Sequence, residues 1–323
     1  MIPYAQNFED VMIARIFDRD HRGFYIDIGA AHPTFLSVTC HFYNSGWCGI
    51  NVEPSRRLFP LLAQSRPRDI NLQVAIGDAS GRATFFEVPS FVENSTLDRD
   101  VANALVAEGR PVESFDVDVI TLRDLWERHV GERTVDFMKV DVEGGEKAVL
   151  SGADWQRHRP RLVVMEATRV NSEEENWHDW EPLLLKSGYE KVWFDGLNNF
   201  YLREEDAALR SAFRLPPNIF DGINPSAMSA RTEELNNLQQ SLTEITASHD
   251  AIAAALAASK ERLAAREEML AATTGRLDRS TAENHALRAE VAAGQRILNS
   301  RSALFRRWLH QFKQKSLKGS RDR

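Results

Sequence analysis

Residues 24–53 read FYIDIGAAHPTFLSVTCHFYNSGWCGINVE, and the order of these residue types decides the fold. An apolar run carrying Asp27 enters a turn of small residues, Gly29, Ala30 and Ala31. A helix is expected from residue 34, and a second apolar run ends in Glu53. The unit is therefore strand, turn, helix, strand, with an acid at the carboxyl end of each strand. Open parallel α/β sheets bind ligands outside those ends, and an acid about 20 residues beyond the turn is placed to hydrogen-bond a ribose diol. The stretch predicts a site for a nucleoside-containing cofactor.

The flanking sequence continues the alternation of strand and helix. Residues 4–17 set Phe8, Val11, Met12, Ile16 and Phe17 at roughly helical spacing, with Asn7 as the expected N-cap. A helix over 55–65 precedes a strand over 71–76 that closes in Gly77 and Asp78. Residues 81–88 and 114–120 alternate apolar with polar and read as additional strands. The polar, irregular segment between them contains Asn94 and Ser95 and suits a lid or substrate loop. A strand over 135–140 runs into Asp141, Val142, Glu143, Gly144, Gly145 and Glu146, where a helix starts. Another, over 161–165, ends in Glu166, and a helix follows around 174–186. Strands over 189–194 and 199–202 are joined by so short a turn that they must be antiparallel. The predicted fold class is α/β, a doubly wound sheet with one antiparallel strand.

At 323 residues, 43% hydrophobic and 27% charged, the chain suits one full α/β domain plus an appendage. The two cysteines, Cys40 and Cys48, make neither a disulfide framework nor a CxxC pair, which points to a reducing compartment. Glu9 and Asp10 stand where a signal peptide would be basic, and no apolar run approaches the roughly 20 residues of a bilayer span, so a cytoplasmic location is expected. The net charge of −7 conceals a split. Residues 301–323 carry eight Lys or Arg and one Asp, a net +7, which leaves −14 for residues 1–300. Basic charge confined to the end argues against nucleic acid.

Domain boundaries follow from the composition. Residues 1–210 form the globular part, and 211–230, with Pro216, Pro217 and Pro225, read as a linker. Over 231–300 a heptad places Leu235, Leu242, Leu256, Leu263, Leu270, Leu277, Val291 and Leu298 at position a, with His249 and Asn284 at the remaining two. The d seam is strong at Leu238, Ile245 and Ile252 and then thins. Complementary charges at Arg262 with Glu267 and Glu283 with Arg288 favour a parallel homodimeric coiled coil. A single helix packed back on the globular part is the alternative. In 301–323, Leu304, Phe305, Trp308, Leu309 and Phe312 fall at helical spacing among Arg301, Arg306, Arg307, Lys313 and Lys315. Such a basic amphipathic tail suits an anionic membrane surface, placing the protein peripherally on the inner face, or else a partner protein.

The turn at 29–33 lacks GxGxxG, and no GxxxxGK[ST] occurs, which argues against NAD and ATP. It suits a nucleoside ligand without phosphates, of which S-adenosylmethionine is the common one. Asp27, in an otherwise apolar strand, needs its carboxylate bonded by turn amides or a ligand ammonium. Taken together and in this order, AQNFED, YIDIGAAHP, NVEP, AIGD, NSTL at 94–97 and KVDVEGGE at 139–146 resemble the FkbM-type S-adenosylmethionine-dependent methyltransferases. The resemblance covers residues 4–202. It implies a class I methyltransferase (Rossmann-like) fold and O-methylation of a hydroxyl, often on a sugar or a polyketide. It also implies that Asp27, Gly29 and the adjoining Ala30 cradle the methionine end, that Glu53 takes the ribose hydroxyls and that Asp78 lies near adenine. The chain departs from the usual motif at His32, where Asn is common, and at Gly145, where Ala is.

Methyl transfer from a sulfonium is chiefly a matter of alignment, and a hydroxyl acceptor gains from a general base. Glu143 is the preferred base or acceptor-orienting group, with Asp141 helping to bind the cofactor or bracing the site; the two are expected to face different ways. His32 is the competing base because its ordinary pKa suits the task. Asn94, Ser95 and Glu146 are assigned to the acceptor, a glycan or other hydroxyl-bearing molecule. Asp141, Glu143 and Glu166 would alternatively suit Mg²⁺, but the favoured reading is a metal-free pocket. The competing function is a non-catalytic scaffold or tether that keeps a methyltransferase-like binding domain.

Overall fold

The computed structural model describes residues 1–169 and 172–318; for residues 225–240, 242–244, 247, 250 and 312–318 it describes the backbone alone. The chain divides into two compact units, Met1–Thr232 and Glu233–Arg323.

In the first unit the strands are β1 (Phe24–Ile28), β2 (Cys48–Val52), β3 (Ile70–Leu72), β4 (Ala75–Gly77), β5 (Gly81–Glu87), β6 (Glu113–Thr121), β7 (Phe137–Val140), β8 (Leu162–Glu166), β9 (Tyr189–Phe194) and β10 (Asn198–Arg203). Seven of them form one sheet in the order β3-β2-β1-β7-β8-β10-β9. β1 lies parallel to both β2 and β7, and β10 runs against both of its neighbours, which makes it the one reversed strand. The doubly wound sheet expected from the sequence is thus present. All five residues of β1 and of β8 are buried, as strands covered on both faces must be. Strand alternation sorts them: Ile26, Ile28, Met138, Val140, Val163 and Met165 fill one core, while Tyr25, Phe137, Leu162 and Val164 join Met12 and Ile13 in the other. Asp27 and Lys139 share the parity of this second set at the strand ends.

Four local readings change. The first helix, α1 (Glu9–Ala14), is shorter than expected and starts after Phe8, whose φ is +63°, rather than Asn7. The Asn7 side chain instead donates to the Asp195 carbonyl in the β9–β10 turn at 2.9 Å. The helix expected from residue 34 begins at Cys40 (α2, Cys40–Asn44), because Leu36 turns the chain at φ +53°. α3 (Phe59–Ser65) starts late because the Ser55 hydroxyl accepts the amides of Arg57 and Leu58 and holds a turn there. Lastly, the strand expected over 71–76 breaks in two. β3 stays in the main sheet, whereas β4 joins β6 and β5 in a separate three-stranded sheet.

The remaining helices are α4 (Arg99–Ala107), α5 (Leu122–Leu125), α6 (Glu146–Ser151), α7 (Glu181–Leu185) and α8 (Pro225–Lys318). The expected linker is ordered against the first unit. Arg15 makes a two-pronged ion pair with Asp221, at 2.6 and 2.8 Å, and donates to the carbonyls of Ala212, Leu215 and Pro216. Phe213 is buried there. α8 begins inside the expected linker and runs unbroken across the 231–300 and 301–323 boundary. Leu256, Leu263, Leu270, Leu277, Val291 and Leu298 are exposed, as are Leu304, Phe305, Trp308 and Leu309. The expected positions Leu235, Leu238, Leu242, Phe312, Lys313 and Lys315 lie outside the described side chains. Among the described residues no helix is long and apolar enough to cross a membrane.

Candidate active site

A cavity of about 290 Å³ opens at the carboxyl ends of β1, β2, β7 and β8. Its floor follows from strand register. Asp27 and Lys139 are direct partners across β1 and β7, so both side chains emerge side by side. Lys139 Nζ donates to the Gly29 carbonyl at 2.8 Å and lies 3.2 Å from Asp141 Oδ2 and 3.7 Å from Asp27 Oδ1. Burial alone would lower the Lys139 pKa, but Asp141 and Asp27 outweigh it and hold the ammonium above its ordinary value. Asp27 is fully buried; Oδ2 accepts from the Thr39 hydroxyl at 2.7 Å, while Oδ1 has no hydrogen-bond partner among the described residues. Burial raises its pKa, and Lys139 and Thr39 pull it back. Gly29 crosses this corner at φ +75°, where a Cβ would sit 1.8 Å from the Asp141 carbonyl oxygen. The turn can pass there only without a side chain.

Glu53 forms the second wall. Its Oε2 accepts the Ala31 amide and its Oε1 the Ser55 amide, each at 2.8 Å. Burial raises its pKa to about 7 against the pull of those two amides and of Lys139. The three-stranded sheet braces this wall, since Glu87 on β5 accepts from the Ser55 hydroxyl at 2.6 Å and from Arg57 at 2.8 Å. Ala75, Ile76, Phe85, Phe91 and Leu97 give the cavity an apolar side.

Beside Lys139 three carboxylates converge. Asp141, Glu143 and Glu166 each bring an oxygen within 4.8 Å of the other two. Burial, with Asp141 next, raises the pKa of both Glu143 and Glu166. Glu143 has a φ of +54°, and its carbonyl is fixed by the Thr96 hydroxyl at 2.7 Å. A non-glycine residue held there by its surroundings is of the kind found at functional sites.

The family model described as the methyltransferase FkbM domain matches residues 27–191, half of the chain and all of these site elements. The chain belongs to the FkbM methyltransferase family. Its central sheet is accordingly the Rossmann-like sheet of a methyltransferase. A solved structure of methyltransferase FkbM from Methylobacillus flagellatus KT is 16% identical, with 57% of this chain and 44% of that one covered and a TM-score of 0.33. This chain thus spans less than half of that relative. A TehB-like SAM-dependent methyltransferase from Corynebacterium glutamicum ATCC 13032 Kitasato is 11% identical, with 60% and 86% covered and a TM-score of 0.34. No curated protein matches the chain.

Within the FkbM domain, Asp27, Gly29, Ala30, Glu53, Asn94, Ser95, Asp141 and Glu143 all line the one cavity. Three residues singled out in the sequence do not. Asp78 is exposed just past β4, although Ala75 and Ile76 on that strand line the cavity. His32 Nδ1 accepts the amides of Thr34 and Phe35 and thereby caps a turn beside the cavity. Glu146 is buried at the start of α6, where Oε1 accepts the Gly144 amide. Ser95 lines the cavity but its hydroxyl donates to the Val92 carbonyl and accepts the Val88 amide. Asp141 and Glu143 face the same space rather than different ways, since the chain turns left-handed at Glu143. The sequence reading missed Lys139 and Thr39. Lys139 had a signal: a lysine within the apolar β7, two residues before Asp141 and so on its face.

Proposed function

We propose that the chain transfers the methyl group of S-adenosylmethionine to a hydroxyl of a sugar or polysaccharide intermediate. The observation that carries this reading is the cavity itself, where an acidic floor beside a close-packed glycine turn meets a wall ending in Glu53. The donor set fits the cofactor. Asp27 Oδ1, buried and 3.7 Å from the Lys139 ammonium but without a hydrogen-bond partner among the described residues, suits a ligand ammonium, and Glu53, fixed by two amides, retains lone pairs for ribose hydroxyls. The apolar side, with Ile76 and Phe85, suits a flat base. When bound, S-adenosylmethionine supplies an activated methyl group, its sulfur leaving with the bond pair as the thioether product.

The chain's own work is orientation and proton removal. Lys139, tied to the Gly29 carbonyl and to Asp141, fixes the turn against β7 so that donor and acceptor meet in one geometry. Glu143, whose pKa burial and Asp141 raise to about 9, is assigned in its ionised form to receive the acceptor's proton at one carboxylate oxygen as the new carbon–oxygen bond forms. Asp141 braces that position through Lys139. The irregular segment 91–97, with Asn94 at the cavity, is the part that would select the acceptor.

The test is incubation of the full chain with S-adenosylmethionine bearing a tritiated methyl group and with cellular glycan and lipid fractions. Label in a base-stable ether on a glycan, lost in Glu143→Gln, is the expected result. Label confined to base-labile esters or to nitrogen would reject hydroxyl methylation, and no transfer to any fraction would favour the scaffold reading.

A further inference from the structure

We propose that Asp141, Glu143 and Glu166 bind a divalent, oxygen-preferring cation on the acceptor side of the cavity. The three oxygens lie within 4.8 Å of one another. Three ligands spread evenly around one ion stand about 4.0–4.5 Å apart for Ca²⁺ and about 3.5–3.6 Å for Mg²⁺, about 1.7 times the respective metal–oxygen distances. The trio, bounded at 4.8 Å, therefore suits the larger ion on slight contraction and the smaller on a greater one. All three donors are carboxylates, with no Cys or His among them, which selects hard cations over zinc or copper.

A second observation, independent of the clustering, points to a ligand. Glu143 Oε2 and Glu166 Oε2 are buried without a hydrogen-bond partner among the described residues, on side chains of residues only 9% and 8% exposed. The Thr168 hydroxyl, in a residue 2% exposed that lines the same cavity, is also unpartnered there. Unpaired buried carboxylates are too costly to persist without a counter-charge or a proton. Without an ion the need is met by protons, since burial and the neighbouring acids favour the neutral forms of Glu143 and Glu166, and a bound cation would take the place of those protons; protein cations do not meet it. Among the described lining residues Lys139 already serves Asp27 and Asp141, while Arg169 is exposed and paired with Glu174 at 3.0 Å. A divalent ion would supply the missing charge, and Thr168 offers a neutral oxygen in the same cavity.

This inference deepens the methyltransferase reading and rests on it only for its chemical use. A cation at this point would polarise the acceptor hydroxyl directly. Each carboxylate commits one oxygen, so the free oxygen of Glu143 remains available for the proton.

The full-length protein, stripped with chelator, is titrated with Mn²⁺ while the electron paramagnetic resonance signal of the free ion is followed. Expected are one Mn²⁺ per chain bound below about 1 mM, displacement by excess Mg²⁺ or Ca²⁺, and weakening by at least about tenfold in Glu143→Gln and Glu166→Gln. Asp141→Asn, at a more exposed side chain, gives the same readout should the buried substitutions fail to fold. Asp78→Asn should bind as the wild type does. Absence of Mn²⁺ binding at about 5 mM, several times the weak end of protein sites, overturns the proposal, as does binding unchanged in the folded variants of the trio. Retention of S-adenosylhomocysteine by the same chelator-treated protein separates the outcomes: cofactor bound without Mn²⁺ rejects the metal alone, and Mn²⁺ bound without cofactor rejects the methyl-donor reading alone.

Discussion

Gly29 and Glu53 shape the end of the cavity proposed to take the methyl donor by opposite means, one through the absence of a side chain and the other through a tightly held one. At Gly29 a methyl group would meet the Asp141 carbonyl at 1.8 Å in a backbone already at φ +75°. Gly29→Ala should therefore cost on the order of 3 kcal/mol of stability, read as a lower midpoint in urea unfolding; a loss below about 1 kcal/mol would mean that the corner is not close-packed. Glu53 carries a pH signature. Its pKa is raised to about 7 chiefly by burial, in the presence of Lys139 and Asp27, and ribose hydroxyls donate to the ionised form. A ligand that selects the carboxylate must displace the proton below that value. Affinity for S-adenosylhomocysteine should hence fall as pH drops below about 7, by up to about tenfold per pH unit, and level off above it. Glu53→Gln should remove this dependence. A dissociation constant flat between pH 6 and 8 in the wild type would contradict the assignment.

Among the elements, the segment after the hairpin behaves differently from its composition. Its prolines read as a linker, yet Arg15, the residue that ends α1, ties it down through Asp221 and three carbonyls. Arg15→Ala should lower stability by about 1–3 kcal/mol in a thermal melt of the full chain; an unchanged melting temperature would restore the linker reading. This pairing joins residues 206 positions apart, and no local pattern announces it. The strands were legible for the opposite reason. β1, β7 and β8 are near-continuous apolar runs ending in acids, so periodicity and turn chemistry suffice to place Asp27, Asp141 and Glu166 at one sheet edge. What could not be read was the fate of residues 71–78, one run in sequence but two sheets in space. That division, decided by pairing with β6, leaves Ala75 and Ile76 on the cavity wall and Asp78 exposed past the end of β4. Likewise His32 was drawn in by its chemistry, while its ring nitrogen is used to cap a local turn.

For the whole molecule, the division into a methyltransferase unit and a helical unit was visible as a change from mixed periodicity to a seven-residue repeat. The helix is present, and the leucines of its a positions are exposed. We propose that they pair in a parallel homodimer. Sedimentation equilibrium should give a dimer for the wild type and a monomer for Leu263→Asp combined with Leu270→Asp; a wild-type monomer at micromolar concentration would contradict pairing. The proposed cofactor end of the site was more fully legible in the sequence than the proposed acceptor end, because the former depends on strand termini and the latter on the turn at Glu143 and the segment 91–97. Binding of the methyl donor at those strand termini is tested by equilibrium dialysis of the full chain against radiolabelled S-adenosylmethionine. One molecule bound per chain is predicted, with affinity reduced at least about tenfold in Asp27→Asn and Glu53→Gln and unchanged in Asp78→Asn. No retention of label by the folded wild-type protein, or retention indifferent to both cavity substitutions, would contradict it.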